Sequence, residues 1–229
     1  MSFLWNSSIG RKLIMSISGL FLILFLLFHM SMNIVAVFSR EGYNMICEFL
    51  GANWYALAGT LVLVAGVGIH FLYAAWLTWQ NFRARGTSRY ASGNKAKADW
   101  ASKNMFILGA VVILGLIVHL FNFWSKMQLV EIMGQHENSL GLSPTDGAAL
   151  IERLFANPLY CVIYLLWFVA LWFHLTHGFW SAFHTIGWNN QVWMKRIKVI
   201  SYLVASVFFL GFAFVVVYFY LYSLGLFAC

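Results

Sequence analysis

Residues 13–38 read LIMSISGLFLILFLLFHMSMNIVAVF, a run that contains no Asp, Glu, Lys or Arg. About 20 apolar residues are enough for a helix to cross the hydrocarbon core of a bilayer. Because lipid offers no partner to free backbone groups, such a segment must be helical there. The run therefore predicts a transmembrane helix. Its apolar core is too long for a cleaved signal peptide, and no small-residue cleavage site follows it.

Four more apolar blocks follow, and the composition of the chain agrees with them. Of the 229 residues, 62% are hydrophobic and only 9% are charged, against about 25% charged in an average soluble domain. This excludes an ordinary soluble enzyme, a disordered chain and a secreted disulfide scaffold. We expect a single all-α integral membrane domain over residues 1–229, with five transmembrane helices at about 13–38, 54–79, 105–125, 159–186 and 199–227.

The loops between the blocks predict the orientation. Three of the 14 basic residues, Arg40, Lys126 and Arg153, lie on one side of the membrane, and eleven lie on the other. Basic loops stay in the cytoplasm, so we expect a cytoplasmic N-terminus and an external C-terminus. The net charge of +7 is thus a topology signal and not a sign of nucleic-acid binding. The eleven basic residues are Arg11, Lys12, Arg83, Arg85, Arg89, Lys95, Lys97, Lys103, Lys195, Arg196 and Lys198.

Two features outside the spans carry weaker predictions. The external stretch 144–155 is typical of a short helix, with Ser143 as a candidate N-cap. The three cysteines, Cys47, Cys161 and Cys229, are widely spaced and form no C-x-x-C motif. We interpret them as small hydrophobic residues or incidental thiols, which disfavours covalent haem attachment and a disulfide framework.

Five of the seven histidines lie well inside the apolar blocks, and His184 lies at the end of the fourth block. A histidine in lipid is costly, which makes it a functional candidate by default. The structural alternative is a hydrogen bond to a neighbouring helix. Here each of the first four predicted helices carries at least one histidine and the fifth carries none, a distribution that favours a function.

Counting from the external ends of the helices sorts four histidines into two layers. His29 and His119 lie 11 and 7 residues from those ends, whereas His70 and His174 each lie 17 residues away. The layers differ by about 8 residues, or roughly 12 Å. Two histidines at equal depth on opposing helices are what bis-imidazole ligation of a haem requires. We predict an outer haem between His29 and His119 and an inner haem between His70 and His174, with the first four helices bundled around them.

Other assignments of the histidines stay open. His177 shares a helix face with His174 and could ligate in its place, although depth favours His174. His184 lies near the inner interface, where a haem propionate, a partner or water could meet it, and His136 lies in an external loop. Copper or zinc is a further alternative, but two-histidine layers without carboxylates are poor zinc sites. Small residues follow the inner ligands by four positions and could make room for a porphyrin edge; they are Ala74 and Gly178.

Several stretches also match a known family. They are the basic start Arg11-Lys12, the run FHMSMN at 28–33, the lone His70 and His119, and the run FHLTHGFWS at 173–181, which continues to Gly187-Trp188. With these, nearly the whole chain resembles the di-haem cytochrome b anchor of succinate dehydrogenase and fumarate reductase, of the five-helix single-anchor type. In that family the fourth-helix ligand is the histidine four residues before the glycine, here His174, and the same helix pairing holds.

The resemblance implies a function and partners. It implies two b haems, a quinone that is most often menaquinone, and a flavoprotein and an iron–sulfur protein that carry the dicarboxylate chemistry, in a bacterial inner membrane. The basic segments 83–103 and 195–198 would dock these partners, or contact anionic lipid. A dimer of the whole complex is compatible with this resemblance. Trp172 stands where some fumarate reductases carry a glutamate for proton movement, so that property is not carried over.

A quinone site near the outer haem would need polar groups at the external ends of the first two helices. Glu48 and Asn33 are the candidates, with Glu48 as a proton donor or acceptor. The alternative for Glu48 is an ordinary solvated carboxylate. A quinone site on the inner side is also open.

Two other functions fit parts of the sequence. One is the di-haem cytochrome b anchor of another respiratory complex, such as a hydrogenase, formate dehydrogenase or nitrate reductase. The fourth-helix run argues against it. The other is a haem-free anchor or small transporter whose histidines are structural or bind a transition metal. The two layers of histidines argue against that one.

Overall fold

The computed structural model describes residues 7–85 and 99–226. The regular elements of these residues are all helical. Short polar side chains begin the long helices: Ser7 accepts a hydrogen bond from the Gly10 amide, and Asn157 precedes a proline at the first helical position. The helices are α1 Ser8–Phe38, α2 Arg40–Phe49, α3 Trp54–Arg85, α4 Trp100–Lys103, α5 Met105–Asn122, α6 Gln128–Ile132, α7 Gly147–Phe155, α8 Pro158–Thr185 and α9 Gln191–Ser223, with a 3-10 turn at Trp124–Lys126.

Among the described residues, five helices are long and apolar enough to cross a membrane, namely α1, α3, α5, α8 and α9. The prediction of an all-α, multi-pass chain is therefore confirmed. Three of them extend further at one end than their apolar runs: α1 begins at Ser8, α3 continues to Arg85 and α9 begins at Gln191. An apolar run stops at the membrane surface, whereas the hydrogen-bonded helix continues into water. Two helices end slightly before their predicted C-terminal positions: α5 ends at Asn122 and α9 ends at Ser223.

The spanning helices pack in the order α3–α1–α8–α5, and α9 lies against both α1 and α8. The contact between α8 and α9 includes a buried hydrogen bond from Ser201 to the Thr176 carbonyl and one from Trp172 to Ser206. Trp172 is thus part of a helix–helix contact. Within the described residues, neither the α1–α5 nor the α3–α8 combination is closely packed. Two gaps between helix backbones follow from this arrangement.

Helices α2, α6 and α7 and the loop 133–146 cover one end of the bundle, and we call them the outer cap. Its core includes Ile151 of α7 and Val216 of α9, each only 1% exposed. The predicted helix at 144–155 is present, but it begins at Gly147. The prediction of Ser143 as its N-cap is wrong. Asp146 is the cap, because its carboxylate accepts from the Ala149 amide at 3.1 Å, three residues further along the chain.

A charged network joins α2 to α7 within the outer cap. The Arg40 guanidinium donates to both oxygens of Glu152, at 2.8 and 2.7 Å, and lies 3.6 Å from Asp146. Asn44 bridges the same parts, since its amide nitrogen donates to Asp146 at 2.8 Å and its oxygen accepts from the Ala148 amide. One of the three basic residues at this end is therefore paired with carboxylates.

We expect the outer cap to loosen as the pH falls below about 4. Burial alone would raise the pKa of Asp146, but hydrogen bonds from the Ala149 amide and Asn44, with the charge of Arg40, together hold that pKa below its usual value of 3.8. A carboxyl with a depressed folded pKa stabilises the fold at neutral pH, and this stabilisation is lost as the pH falls through the folded pKa.

The measurement is the hydrogen-exchange protection of the α7 amides between pH 6 and pH 3. Asp146→Asn should lower protection at pH 6 and reduce the acid-dependent loss. Protection in this variant that falls with acid as steeply as in the wild type would contradict the assignment to Asp146.

Candidate functional site

Histidines from opposite sides of the bundle meet in two pairs. His29 on α1 faces His119 on α5, with ring centroids 5.7 Å apart, and we call these two the outer pair. His70 on α3 faces His174 on α8 at 6.3 Å, and we call these two the inner pair. Each pair spans one of the two combinations of helices whose backbones are not closely packed. The imidazoles therefore meet across gaps in the bundle.

The two pairs lie at different levels along the helices. His119 contacts Tyr164 and Trp167 of α8, at 6.3 and 5.8 Å between ring centroids. His70 contacts a later residue of α8, His174. The 7 to 10 residues between these positions of α8 correspond to about 10–15 Å. The folded chain thus places the four predicted ligands together in the two pairs, and at the two depths, that the sequence predicts. That they ligate iron stays a prediction.

The ring separations of both pairs, 5.7 and 6.3 Å, are compatible with two imidazoles on one metal ion. An imidazole nitrogen binds a metal at about 2.0 Å, so two such rings on opposite sides of one ion have centroids about 6 Å apart. The Nδ1 atom of His174 is also buried without a hydrogen-bond partner, which is unusual for a polar atom inside a protein. In the described part of the chain, no three or more His, Cys, Asp or Glu side chains converge as metal ligands. The two-histidine pairs are thus suited to bis-imidazole ligation of a haem.

Aromatic rings surround the outer pair. Phe25 stacks on His29 with centroids 5.3 Å apart, and Phe212 of α9 lies 5.9 Å from the same ring. On the other side His119 lies between Phe123, at 5.1 Å, and Trp167. The fifth spanning helix, which has no histidine, therefore contributes to the outer site. Apolar walls of this kind exclude water and hold imidazole rings in one orientation.

Trp167 is a feature of the outer site that the sequence analysis missed. Its indole N–H donates to the Val112 carbonyl at 3.0 Å, and its ring lies over Gly115, where an added Cβ would overlap it. These contacts place α5 against α8 and hold the indole beside His119. A tryptophan in an apolar helix has no distinctive sequence signal, because most such residues face lipid or a helix contact.

Small residues surround the inner pair. A Cβ at Gly19 would lie 3.2 Å from Cε1 of His70, and one at Gly109 would lie 3.7 Å from Cε1 of His174. The room next to the rings thus comes from the neighbouring helices α1 and α5. The sequence predicts this room four residues after the ligands, at Ala74 and Gly178, but Gly178 approaches Met105 instead. Ser18 of α1, which the sequence analysis also missed, lies beside His70.

The remaining histidines lie apart from the two pairs. His174, and not His177, faces His70. The His177 ring packs on Trp180 at 4.9 Å, and its Nδ1 atom is buried without a partner. His184 and His136 are both exposed.

Glu48 and Asn33, the candidates for a quinone site, occupy different environments. Glu48 is exposed and lines an open cleft of about 800 Å³ in the outer cap, together with His136. Within the described residues, no hydrogen bond joins it to the outer pair. Asn33 does contact that pair, since its amide donates to the His29 carbonyl at 2.7 Å and its oxygen accepts from the Tyr43 hydroxyl at 3.2 Å. Burial raises the pKa of Tyr43 well above its usual value, which keeps this hydroxyl protonated.

Cations lie on tryptophan rings at the end of the bundle opposite the outer cap. They are Arg83 over Trp79 at 4.9 Å, Arg196 over Trp193 at 5.3 Å and Lys198 over Trp180 at 4.7 Å. Such pairs are typical of membrane–water interfaces. Residues 86–98, which form most of the predicted docking loop, lie outside the described residues.

The cysteines have the environments of structural thiols. Burial is the main reason that the pKa of Cys47 rises to about 11, so this thiol stays protonated at neutral pH. Cys161 is buried and donates to the Phe155 carbonyl at 3.2 Å. The interpretation of these two as incidental thiols agrees with the structure, and Cys229 lies outside the described residues.

No family model, curated protein or solved structure matches this chain. The features of the described residues that bear on function are five helices able to span a membrane and two facing pairs of histidines within those helices.

Proposed function

We propose that this chain is the membrane anchor and electron-transfer subunit of a succinate dehydrogenase or fumarate reductase complex. It would hold one b haem with the outer pair and one with the inner pair. The observation that supports this most is the meeting of four intramembrane histidines in two facing pairs at two depths. When bound, the two haems would supply one-electron transfer between menaquinone and an iron–sulfur partner.

The side chains of the bundle perform distinct tasks in this proposal. The four histidines supply neutral nitrogen ligands, one from each of four helices. Phe25, Phe212 and Trp167 exclude water from the outer pair and limit the rotation of its rings. Gly19 and Gly109 leave room beside the inner pair. Helix α9 holds α1 and α8 in place through packing.

In this proposal the end opposite the outer cap faces the cytoplasm of a bacterium, and the chain lies in the inner membrane. Eleven of the 14 basic residues belong to that side, in agreement with the positive-inside rule. The flavoprotein and the iron–sulfur protein would dock there, on segments 83–103 and 195–198, and the dicarboxylate chemistry would take place on them. Two copies of the complex could associate through the lipid-facing helices.

The proposal places quinone chemistry near the outer pair. Tyr43 and Asn33 provide a hydroxyl and an amide next to His29, which suit hydrogen bonding to a quinone carbonyl. Glu48 lies in the open cleft of the outer cap, from which a carboxylate can exchange protons with water. Glu48 therefore serves proton exchange better than direct contact with the quinone.

The test is the haem content of the chain, purified in mild detergent together with whatever subunits remain bound. We expect a reduced-minus-oxidised spectrum of low-spin b haems, two per chain by pyridine haemochrome assay, and a flavoprotein and an iron–sulfur protein in the same preparation by mass spectrometry. A chain without haem, isolated under conditions that retain cofactors, would contradict the proposal and favour structural or metal-binding histidines. Two haems with hydrogenase or formate dehydrogenase subunits would assign the chain to another respiratory complex.

A further inference from the structure

Ser18 is a buried polar residue in the apolar part of α1, with 8% of its surface exposed. Its hydroxyl oxygen lies 3.2 Å from Nδ1 of His70, which is 52 residues away on α3. The same oxygen lies 3.0 Å from the Met15 carbonyl. Ser18 thus connects a ring of the inner pair to the backbone of a neighbouring helix.

The Ser18 hydroxyl has one hydrogen and lies within hydrogen-bond distance of two groups, the Met15 carbonyl and Nδ1 of His70. A carbonyl can only accept, so the Ser18 hydroxyl donates to Met15 and its oxygen is left to accept a hydrogen bond. With this direction of the Ser18–Met15 hydrogen bond, Nδ1 of His70 donates to the Ser18 oxygen, and Nε2 is the free nitrogen of the neutral ring.

The two histidines of the inner pair differ in this respect. In the described part of the chain, Nδ1 of His174 is buried without any hydrogen-bond partner, whereas Nδ1 of His70 has Ser18. Helix α1 approaches the His70 ring so closely that a Cβ at Gly19 would lie 3.2 Å from its Cε1 atom. This approach brings Ser18 within reach of the ring. Only one of the two rings is thus oriented by a hydrogen bond from a neighbouring helix.

We propose that Ser18 is a positioning residue that presents Nε2 of His70 as a ligand and lowers the reduction potential of the inner haem. A hydrogen bond accepted from Nδ1–H makes the opposite nitrogen of an imidazole more basic. A more basic ligand stabilises ferric iron more than ferrous iron, so the one-electron reduction of the iron becomes less favourable. This inference rests on the proposed function, because it requires a haem at the inner pair.

The experiment is a potentiometric titration of the purified complex with Ser18→Ala, followed by visible and low-temperature electron paramagnetic resonance spectra. At the midpoint potential of the wild-type inner haem, we expect at least a threefold higher ratio of ferrous to ferric inner haem, which corresponds to about 30 mV for a one-electron couple. The outer haem should keep its potential. Ser18→Thr, which keeps the hydroxyl, should restore the wild-type value of the inner haem.

The matched control is Ser201→Ala, because Ser201 is also a buried serine that donates to a backbone carbonyl. This control should leave both potentials unchanged. Loss of the inner haem in Ser18→Ala alone would also support the positioning role. Two bound haems with unchanged potentials in Ser18→Ala, or an equal shift in Ser201→Ala, would overturn the inference. A wild-type chain without haem is a different result, which contradicts the proposed function itself.

Discussion

Replacing any one of the four paired histidines by alanine should remove one haem and leave the other. His29→Ala or His119→Ala should empty the outer site, and His70→Ala or His174→Ala the inner one. The haem content should fall from two per chain to about one. The reason is geometric, since each pair has its own two helices and lies about 10–15 Å from the other pair.

The same series should affect stability. A ligand present at 1,000 times its dissociation constant stabilises a protein by about 4 kcal/mol, so loss of one tightly bound haem should lower the melting temperature measurably. The control is His177→Ala, because His177 lies on α8 with His174 but packs on Trp180 and does not face His70. It should retain both haems.

Two results would contradict the pairing. One is an equal loss of both haems from all four variants, which would indicate unfolding and not the emptying of a single site. The other is loss of the inner haem in His177→Ala with retention in His174→Ala. Electron paramagnetic resonance distinguishes the two low-spin haems, and the haemochrome assay counts them.

Gly115→Ala should impair the outer site and leave the inner site intact. The added methyl group would overlap the Trp167 indole, and that indole is held by its hydrogen bond to the Val112 carbonyl and by its contact with His119. Either the indole moves or α5 separates from α8, and His119 shifts in both cases. Overpacking of this kind costs about 1–3 kcal/mol. This outweighs the better helix propensity of alanine, about 1 kcal/mol.

The measurement for Gly115→Ala is the occupancy and midpoint potential of each haem. Gly59→Ala on α3 is the matched control, since a Cβ at that exposed glycine meets nothing within 4 Å, and it should leave both haems unchanged. Trp167→Leu, which shortens the side chain, should restore part of the outer occupancy when combined with Gly115→Ala. Full outer occupancy and an unshifted potential in Gly115→Ala would show that Trp167 does not position His119.

Much of the architecture can be predicted from local sequence. A run such as residues 13–38 has only one stable form in lipid, because every backbone group must find its partner within the segment. Helix ends are less predictable: α9 begins at Gln191, well before its apolar run, because backbone hydrogen bonds do not depend on side-chain hydropathy. Likewise Asp146 and not Ser143 caps α7, a choice between two good capping residues that depends on which one reaches an open amide.

The candidate site also has features that the sequence predicts and features that it does not. The depth of a histidine in a straight helix is simply its residue count times the rise per residue, so the two layers follow from the positions of His29, His70, His119 and His174 in the chain. Glu48 is an example of the limit of this reasoning. Its place near the end of a span suggested proximity to the outer pair, but the fold directs α2 so that Tyr43, through Asn33, reaches His29 and Glu48 faces an open cleft.

Hydropathy and residue spacing are enough to predict a multi-pass helical membrane protein with four histidines at two depths. These properties depend on hydropathy and on distance along one helix. Three contacts are visible only in the folded chain: α9 packs against α1 and α8, Trp167 lies on Gly115, and Ser18 reaches His70. Those contacts join residues that are far apart in sequence, and they depend on the rotation and crossing of helices. In lipid, this rotation is governed by shape and by a few hydrogen bonds, since apolar surfaces gain little by leaving lipid for one another.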